Sequence, residues 1–327
     1  MGMSEVLIAL ERHRSFLITS HTNPDGDNIA SQLGLALMLG RLGKQASIVD
    51  QDPVPARYRF LPGWEKIRTS IEPGQEPRPG SGQATAVVVL DSAAIDRIGA
   101  VQDVITPATL EMVNIDHHVS NTSFGQAQYV DPEASSTCEM VYRIGKKLFG
   151  SFTAPEATCL LAGIMTDTGG FRYECTSPAT MRIAAELMEQ GARLADIATH
   201  LYAEERAETM QLLGELLAGM KFSARAPLAW MALGRAQLAR HGVSMPETEE
   251  FVRYALSVKG VEVGLMLKEH DANLVRLSFR SKGAVDVNRL ARLFGGGGHV
   301  QAAGAKVAGS LAEVELQVVE AIEREIG

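Results

Sequence analysis

Four short apolar runs, at 16–20, 46–50, 84–90 and 112–115, limit the possible architectures of this chain more than any other feature. A strand with one face in water alternates apolar and polar residues, and Val87-Val88-Val89-Leu90 has no polar face to offer. Strands of this kind need cover on both sides, which helical crossovers supply in a parallel sheet. The intervening segments fit that role. Residues 4–13 form a short amphipathic pattern, and Asn28 to Leu42 places Ile29, Leu33, Leu37 and Leu39 at helical spacing before a stop at Gly43. From Ser135 to Gly191 the pattern is helical, broken at Thr168-Gly169-Gly170 and at Ser177-Pro178, and helices continue over Leu194 to Met220.

Beyond that stretch the pattern changes. Strand-like runs at Leu228 to Leu233, Val261 to Lys268 and Leu274 to Phe279 precede a helix at Asp286 to Phe294, and an amphipathic helix from Leu311 to Ile326 closes the chain. At 327 residues the chain is long enough for two domains, each with its own core. The expectation is an α/β protein: a domain over 1–205 with a mainly parallel sheet covered by helices, a helical connector over 206–220, and a smaller α/β domain over 221–327. Pro73 to Gly82, rich in Pro, Gly and Gln, reads as an exposed loop.

Cys138, Cys159 and Cys175 are odd in number and form no Cys-x-x-Cys pair, so they read as buried or inert thiols of a cytoplasmic protein. No segment approaches the length of a membrane span. The net charge of -8 argues against affinity built on coating long nucleic acid with Lys and Arg. A small phosphate-bearing ligand remains compatible, because two divalent cations would place four positive charges in one cleft.

The apolar runs end in ligand-type side chains. His21-Thr22-Asn23-Pro24-Asp25-Gly26-Asp27 follows the first run, Asp91-Ser92 the third and Asp116-His117-His118 the fourth, while Thr166-Asp167-Thr168-Gly169-Gly170 interrupts the helical region. Singly each is weak. An Asp after a strand is more often a helix cap, and Asp27 in particular suits the N-cap of a helix starting at Asn28. Together, four junctions of an α/β sheet offer imidazoles and carboxylates in roughly the inventory that two adjacent divalent cations need. Asp25 and Asp27 can address different partners across the turn forced by Pro24 and Gly26, and Asp91 is the best placed to bridge two ions. Mixed His and Asp donors favour Mn²⁺ over Mg²⁺.

Gly295-Gly296-Gly297-Gly298-His299 lacks the Lys-Ser/Thr ending of a nucleotide-triphosphate loop. Its glycines would still let backbone N–H groups approach a phosphate or base, with His299 as a further donor. Arg280-Ser281 offers a planar fork for phosphate, against the plainer reading of a surface Arg on a loop.

These residues resemble the DHH phosphoesterase superfamily over residues 15 to 309. The resemblance rests on the 21–27 turn, Asp91, the 116–118 triplet, Thr166-Asp167-Thr168-Gly169, and, for the associated C-terminal domain, Arg280-Ser281, 295–299 and Ala302-Ala303-Gly304. It implies that His21, Asp25 and Asp91 hold one Mn²⁺ and that Asp27, Asp91, His117 and Asp167 hold the other. Asp116 would orient a neighbouring ligand, and His118 would face the substrate phosphate. Arg280, Ser281, Gly296, Gly297, Gly298 and His299 would grip the nucleotide. Asn28-Ile29-Ala30-Ser31 stands where many relatives have Ala-x-Gly-Ser, a packing difference that removes no ligand.

Within the superfamily the length and layout are most similar to the stand-alone NrnA-type enzymes. These act on very short RNA and on 3'-phosphoadenosine 5'-phosphate, and family members often form homodimers. The expectation is therefore a two-metal phosphodiesterase and phosphatase in which the ions stabilise the attacking and leaving oxygens. A cyclic di-AMP or linear dinucleotide phosphodiesterase is the alternative. A silent nucleotide-binding protein would require a missing ligand, and none is missing.

Overall fold

The computed structural model describes residues 2–69, 85–105, 110–298 and 300–327, so the expected loop at Pro73 to Gly82 and His299 lie outside the described residues. Two compact units are present, Met1–Glu204 and Glu205–Gly327.

The first unit runs α1 (Met3–Arg12), β1 (Ser15–Thr19), α2 (Gly26–Arg41), β2 (Gln45–Val49), β3 (Ile67–Arg68), β4 (Ala86–Leu90), α3 (Val101–Val104), β5 (Glu111–Asp116), β6 (Ala127–Val130), α4 (Thr137–Phe149), α5 (Ala154–Asp167), α6 (Pro178–Glu189) and α7 (Leu194–Tyr202). Its sheet has the order β3-β2-β1-β4-β5-β6 with every pairing parallel. Alternate residues of the central strands serve different cores. Ile18, Val88 and Val113 pack with the helices α2, α4 and α5, while Leu17, Val87 and Val89 pack with Ile98, Val101 and Ile105 on the opposite face. This two-sided burial is the reason β4 has no polar residue.

The direction of strand addition reverses between β1 and β4. From β1 the chain builds outward through β2 and β3, and from β4 through β5 and β6 on the other side. In an open parallel sheet that reversal leaves a crevice beyond the carboxyl ends of the two strands.

Three differences from the sequence reading concern this unit. The cap of α2 is Asp25, whose carboxylate accepts from the Asn28 N–H at 3.0 Å, so Asp27 falls inside the first turn and is not the N-cap. β6, with its short alternating Ala-Gln-Tyr-Val pattern at the sheet edge, has too little apolar character to stand out. Cys138 and Cys159 are buried, but Cys175 is exposed in the turn between α5 and α6, where no helix covers it.

The second unit runs α8 (Ala207–Ala218), β7 (Lys221–Phe222), β8 (Leu228–Leu233), α9 (Arg235–His241), α10 (Val252–Leu256), β9 (Val263–Asp271), β10 (Leu274–Ser281), α11 (Val287–Arg292), β11 (Gly297–Gly298), β12 (Ala302–Ala308) and α12 (Leu311–Ile326). Its sheet has the order β11-β12-β10-β9-β8-β7 and is antiparallel except where β8 meets β9. α8, which covers the expected connector, packs Leu212, Leu213 and Leu216 against Met231 and Met266 in this unit's core. β12 is mostly Ala and Gly, poor strand formers, and is held by pairing with β10 from Leu274↔Ala308 to Arg280↔Ala302.

No helix among the described residues is long and apolar enough to cross a membrane.

Candidate metal centre

The adjacent strands β1, β4 and β5 deliver their carboxyl ends to the crevice. His21 lies just past β1, Asp91 just past β4, and Asp116, the last residue of β5, leads into His117 and His118. α2 begins over the same end and carries Asp25 and Asp27, and α5 ends there with Asp167. A carboxylate on the last turn of a helix faces the negative end of the helix dipole. Asp167 therefore does nothing for α5 and is explained by what surrounds it.

Side chains from these five places converge. Asp91, His117 and His118 bring one donor atom each to within 4.8 Å of one another, as do His21, Asp25 and Asp91, and again Asp27, His117 and Asp167. Asp91 and His117 each belong to two of the three groups. His21 Nε2 lies 3.5 Å from Asp91 Oδ2 and 3.8 Å from Asp25 Oδ2. His117 Nε2 lies 3.1 Å from Asp167 Oδ2 and 3.6 Å from Asp91 Oδ1. Among the described residues, no Lys or Arg comes within ion-pair distance of these carboxylates.

The helix approaches that make this convergence possible depend on glycine. A Cβ on Gly26 would fall 2.3 Å from Thr166 Cγ2, and one on Gly163 would fall 2.2 Å from Cys138 Sγ and 2.9 Å from Asp27 Oδ1. With side chains at either position α2, α4 and α5 could not close on Asp27 and Asp167.

The histidines are oriented from behind. His21 Nδ1 is 2.8 Å from the Thr22 carbonyl and His117 Nδ1 is 3.3 Å from the Ala134 carbonyl. With Nδ1–H donated to backbone, each ring directs Nε2 into the cluster, the usual arrangement of imidazoles that ligate metal. His118 differs, since its Nδ1 is 2.6 Å from Asp116 Oδ1. Asp116 is itself fully buried and takes a second hydrogen bond from Asn121 Nδ2 at 2.6 Å.

The electrostatics identify what the cluster lacks. Burial raises the Asp27 carboxyl well above the usual range, and the charges of Asp167 and Asp91 raise it further. Burial also works against the charged form of Asp91, but the hydrogen bond and charge of His21, with His118 and His117, hold it below the usual range. Burial would lower His21, yet the Asp91 hydrogen bond and the Asp25 and Asp91 charges push it up to about 9. For His117 burial is likewise outweighed, by Asp167 and then Asp91 and Asp27, and the ring is pushed up to about 11. Among the described residues, the positive charge available to these carboxylates is borrowed protons on imidazole. This donor set, with His Nε2 and carboxylate oxygens only, fits divalent cations.

Asp91 sits in the left-handed region, at φ 52°, where a residue other than glycine is uncommon. Strain of this kind at a ligand-type residue is a frequent mark of a functional position.

The first turn of α4 was missed in the sequence. The Thr137 N–H donates to Asp27 Oδ2 at 2.6 Å, the Cys138 N–H to Asp27 Oδ1 at 2.9 Å, and Thr137 Oγ1 lies 3.1 Å from Asp91 Oδ1. A helix N-terminus thus holds one buried carboxylate through two amides. The signal was present as Ser136-Thr137-Cys138-Glu139, a capping pattern, and Ser136 does cap α4 through the Glu139 N–H.

In the second unit, Arg280 and Ser281 are consecutive strand residues and so face opposite ways. Arg280 Nη1 rests on the Phe279 carbonyl, whereas Ser281 is buried and its Oγ accepts from the Gly283 N–H at 3.0 Å. Two of the expected phosphate-approach glycines have a packing role. A Cβ on Gly296 would lie 2.1 Å from the Gly304 carbonyl oxygen, and one on Gly298 would lie 2.4 Å from that of Ala302. The Gly298 N–H is already given to Asn288 Oδ1 at 3.0 Å, and Gly297 pairs with Gly304 across β11 and β12.

Comparison with known proteins gives consistent results. Residues 15–164 match the DHH family, N-terminal domain, and residues 231–327 match the DHHA1 domain. The chain is 36% identical to a bifunctional oligoribonuclease and PAP phosphatase NrnA of Thermus thermophilus, over 99% of this chain and 93% of that one. A Bacillus subtilis protein of the same description is 27% identical, over 93% of each chain. Among solved structures, an exopolyphosphatase-related protein from Bacteroides fragilis superposes with a TM-score of 0.90 at 28% identity, covering 99% of this chain and 95% of the other. The chain belongs to the DHH family of metal-dependent phosphoesterases.

Proposed function

We propose that this phosphoesterase uses two divalent cations, Mn²⁺ in preference to Mg²⁺, to hydrolyse very short RNA to mononucleotides and 3'-phosphoadenosine 5'-phosphate to AMP. The observation that carries the reading is the sharing of Asp91 and His117 among three donor groups, each closed within 4.8 Å. Donor groups with common members suit ions a few ångströms apart, and the relatives described as oligoribonuclease and PAP phosphatase supply the substrate class.

His21, Asp25 and Asp91 would hold one cation, and Asp27, Asp91, His117 and Asp167 the other. When bound, such a pair supplies Lewis acidity toward phosphoryl oxygens and neutralises charge that builds during in-line displacement. The chain's own residues set the geometry. The α4 amides fix both oxygens of Asp27, Thr137 fixes one oxygen of Asp91, and backbone carbonyls fix the His21 and His117 rings. His118, held by Asp116, would address the substrate phosphate. On this reading the first unit performs the chemistry and the second, through Arg280, Ser281, the glycines at 296–298 and His299, grips the nucleotide.

A single purified preparation assayed with Mn²⁺ against a dinucleotide, a longer RNA, 3'-phosphoadenosine 5'-phosphate and cyclic di-AMP tests the assignment. Hydrolysis of short RNA and of the bisphosphate supports it. Turnover confined to cyclic di-AMP or its linear product overturns it in favour of a dinucleotide phosphodiesterase.

A further inference from the structure

β10 divides its residues between two faces. Val275, Leu277 and Phe279 join the core formed with α11 and α12, so Arg276, Ser278 and Arg280 share the opposite face. Pairing sets Lys268 of β9 and Lys306 of β12 on either side of Arg276, three cations in one row. The Lys268 ammonium is fully buried and lies 3.1 Å from Glu249 Oε1, and Arg276 Nη1 reaches the same oxygen at 3.3 Å. Among the described residues, no second carboxylate comes within ion-pair distance of Lys268, Arg276, Arg280 or Lys306. Burial lowers Lys268, against the pull of Glu249, and the positive charges of Arg276 and Arg280 lower it further. This face therefore carries cationic charge that one glutamate does not balance.

We propose that Arg276 and Lys306 form a phosphate subsite distinct from Arg280, which engages an internal phosphodiester of a short oligonucleotide and favours oligonucleotides over mononucleotides. Arg276 and Arg280 are four residues apart on one strand, about 13 Å. That exceeds one internucleotide step, so the two phosphates of a single nucleotide do not span it, whereas a chain of a few nucleotides does. Between them Ser278 pairs with Gly304 and is itself buried, so the positions of this row that reach solvent are Arg276, Lys306 and Arg280. Lys268 and Glu249 act from beneath by holding the Arg276 guanidinium in place. The proposal rests on the function proposed above.

The test uses the full chain with Mn²⁺. Affinity for a fluorescent, hydrolysis-resistant phosphorothioate pentaribonucleotide is measured by anisotropy, and 3'-phosphoadenosine 5'-phosphate is measured by displacement, for the wild type, Arg276→Gln and Lys306→Gln. Loss of one charge-assisted contact should lower the ratio of pentanucleotide to bisphosphate affinity about tenfold. The salt dependence of pentanucleotide binding should also flatten by about 0.7 in slope per contact. An unchanged ratio and slope in Lys306→Gln, whose side chain is exposed and whose folding is not at risk, overturns the subsite, as does an equal loss on both ligands. If the wild type binds neither probe, the proposed function itself fails.

Discussion

Thr137 Oγ1 lies 3.1 Å from Asp91 Oδ1, so the first turn of α4 is tied to the residue that two of the donor groups share. The same residue's N–H holds Asp27. Removing only the hydroxyl, in Thr137→Val, keeps the β-branched shape and the amide. Loss of a partner behind a ligand typically weakens metal binding by about 10- to 100-fold. We expect at least the lower figure for Mn²⁺ by calorimetric titration, with Thr137→Ser restoring it. Wild-type affinity in the Val variant would mean that the contact has no part in positioning Asp91.

Asp91→Asn should abolish turnover and strip metal from both positions. Asn is the informative replacement because it tolerates the left-handed backbone at φ 52°, where Ala adds strain of roughly 1 kcal/mol or more. Elemental analysis of the purified variant against the wild type reads the outcome. Two ions retained at a near-normal rate would remove Asp91 from the bridging position.

The fold and the convergence of the candidate metal-binding side chains could be read in the sequence for one physical reason, which also explains what could not be read. Uninterrupted apolar strands such as Val87 to Leu90 announce a buried parallel sheet, and in such a sheet ligand-type residues at the ends of several strands at once point to function where one alone does not. Asp91 and the 116–118 triplet stood out on that account. The supporting layer did not, because it is made by backbone. The amides of Thr137 and Cys138 and the carbonyls of Thr22 and Ala134 belong to no residue type, so no pattern advertises them. Asp27 suits the cap of α2 as a plain alternative to ligation, but Asp25 takes that role, since two Asp residues flanking a glycine are equally good caps until the helix start is known. Gly296 and Gly298 suggest a close ligand approach in the sequence, and the structure adds a packing need, the approach of β11 to β12.

The charge borrowed by the carboxylates makes metal binding a proton-releasing event. His21 is pushed up to about 9 and His117 to about 11, above the 6.5 of a free imidazole. A raised imidazole stabilises the metal-free fold fully below pH 6.5, and that contribution is lost as the pH climbs through about 9 for His21 and about 11 for His117. Mn²⁺ needs the neutral ring, so its stabilisation runs the other way. Between pH 6 and 8.5 the gap in Tm between Mn²⁺-loaded and chelator-treated protein should widen. Titration in buffers of different ionisation enthalpy should register protons released on binding. No proton release would show that the histidines are neutral before metal arrives.

Arg280→Ala separates gripping from chemistry. If Arg280 holds the nucleotide, its loss should cost roughly 1.5 to 3 kcal/mol of binding, about ten- to a hundredfold, on RNA or on 3'-phosphoadenosine 5'-phosphate. Hydrolysis of bis-p-nitrophenyl phosphate, which has no nucleoside to hold, should suffer far less. Equal losses on natural and generic substrates would assign Arg280 to the catalytic centre.

Substrate length follows from charge. With a net charge of -8, the chain has little positive charge to spare for an extended Lys/Arg track, while Arg276, with Lys268 and Lys306 paired beside it, offers a short-range position for phosphate. Affinity for a long strand accumulates through successive phosphate contacts and is lost where those contacts stop. RNAs of about two to five nucleotides should therefore be degraded to mononucleotides much faster than a strand of about twenty-five under the same Mn²⁺ and salt. Time courses on 5'-labelled and 3'-labelled RNAs of graded length measure the preference and the end from which attack begins. A rate that climbs steadily with length would require a tracking surface that this charge distribution does not provide, and would replace the short-substrate reading with a processive exonuclease.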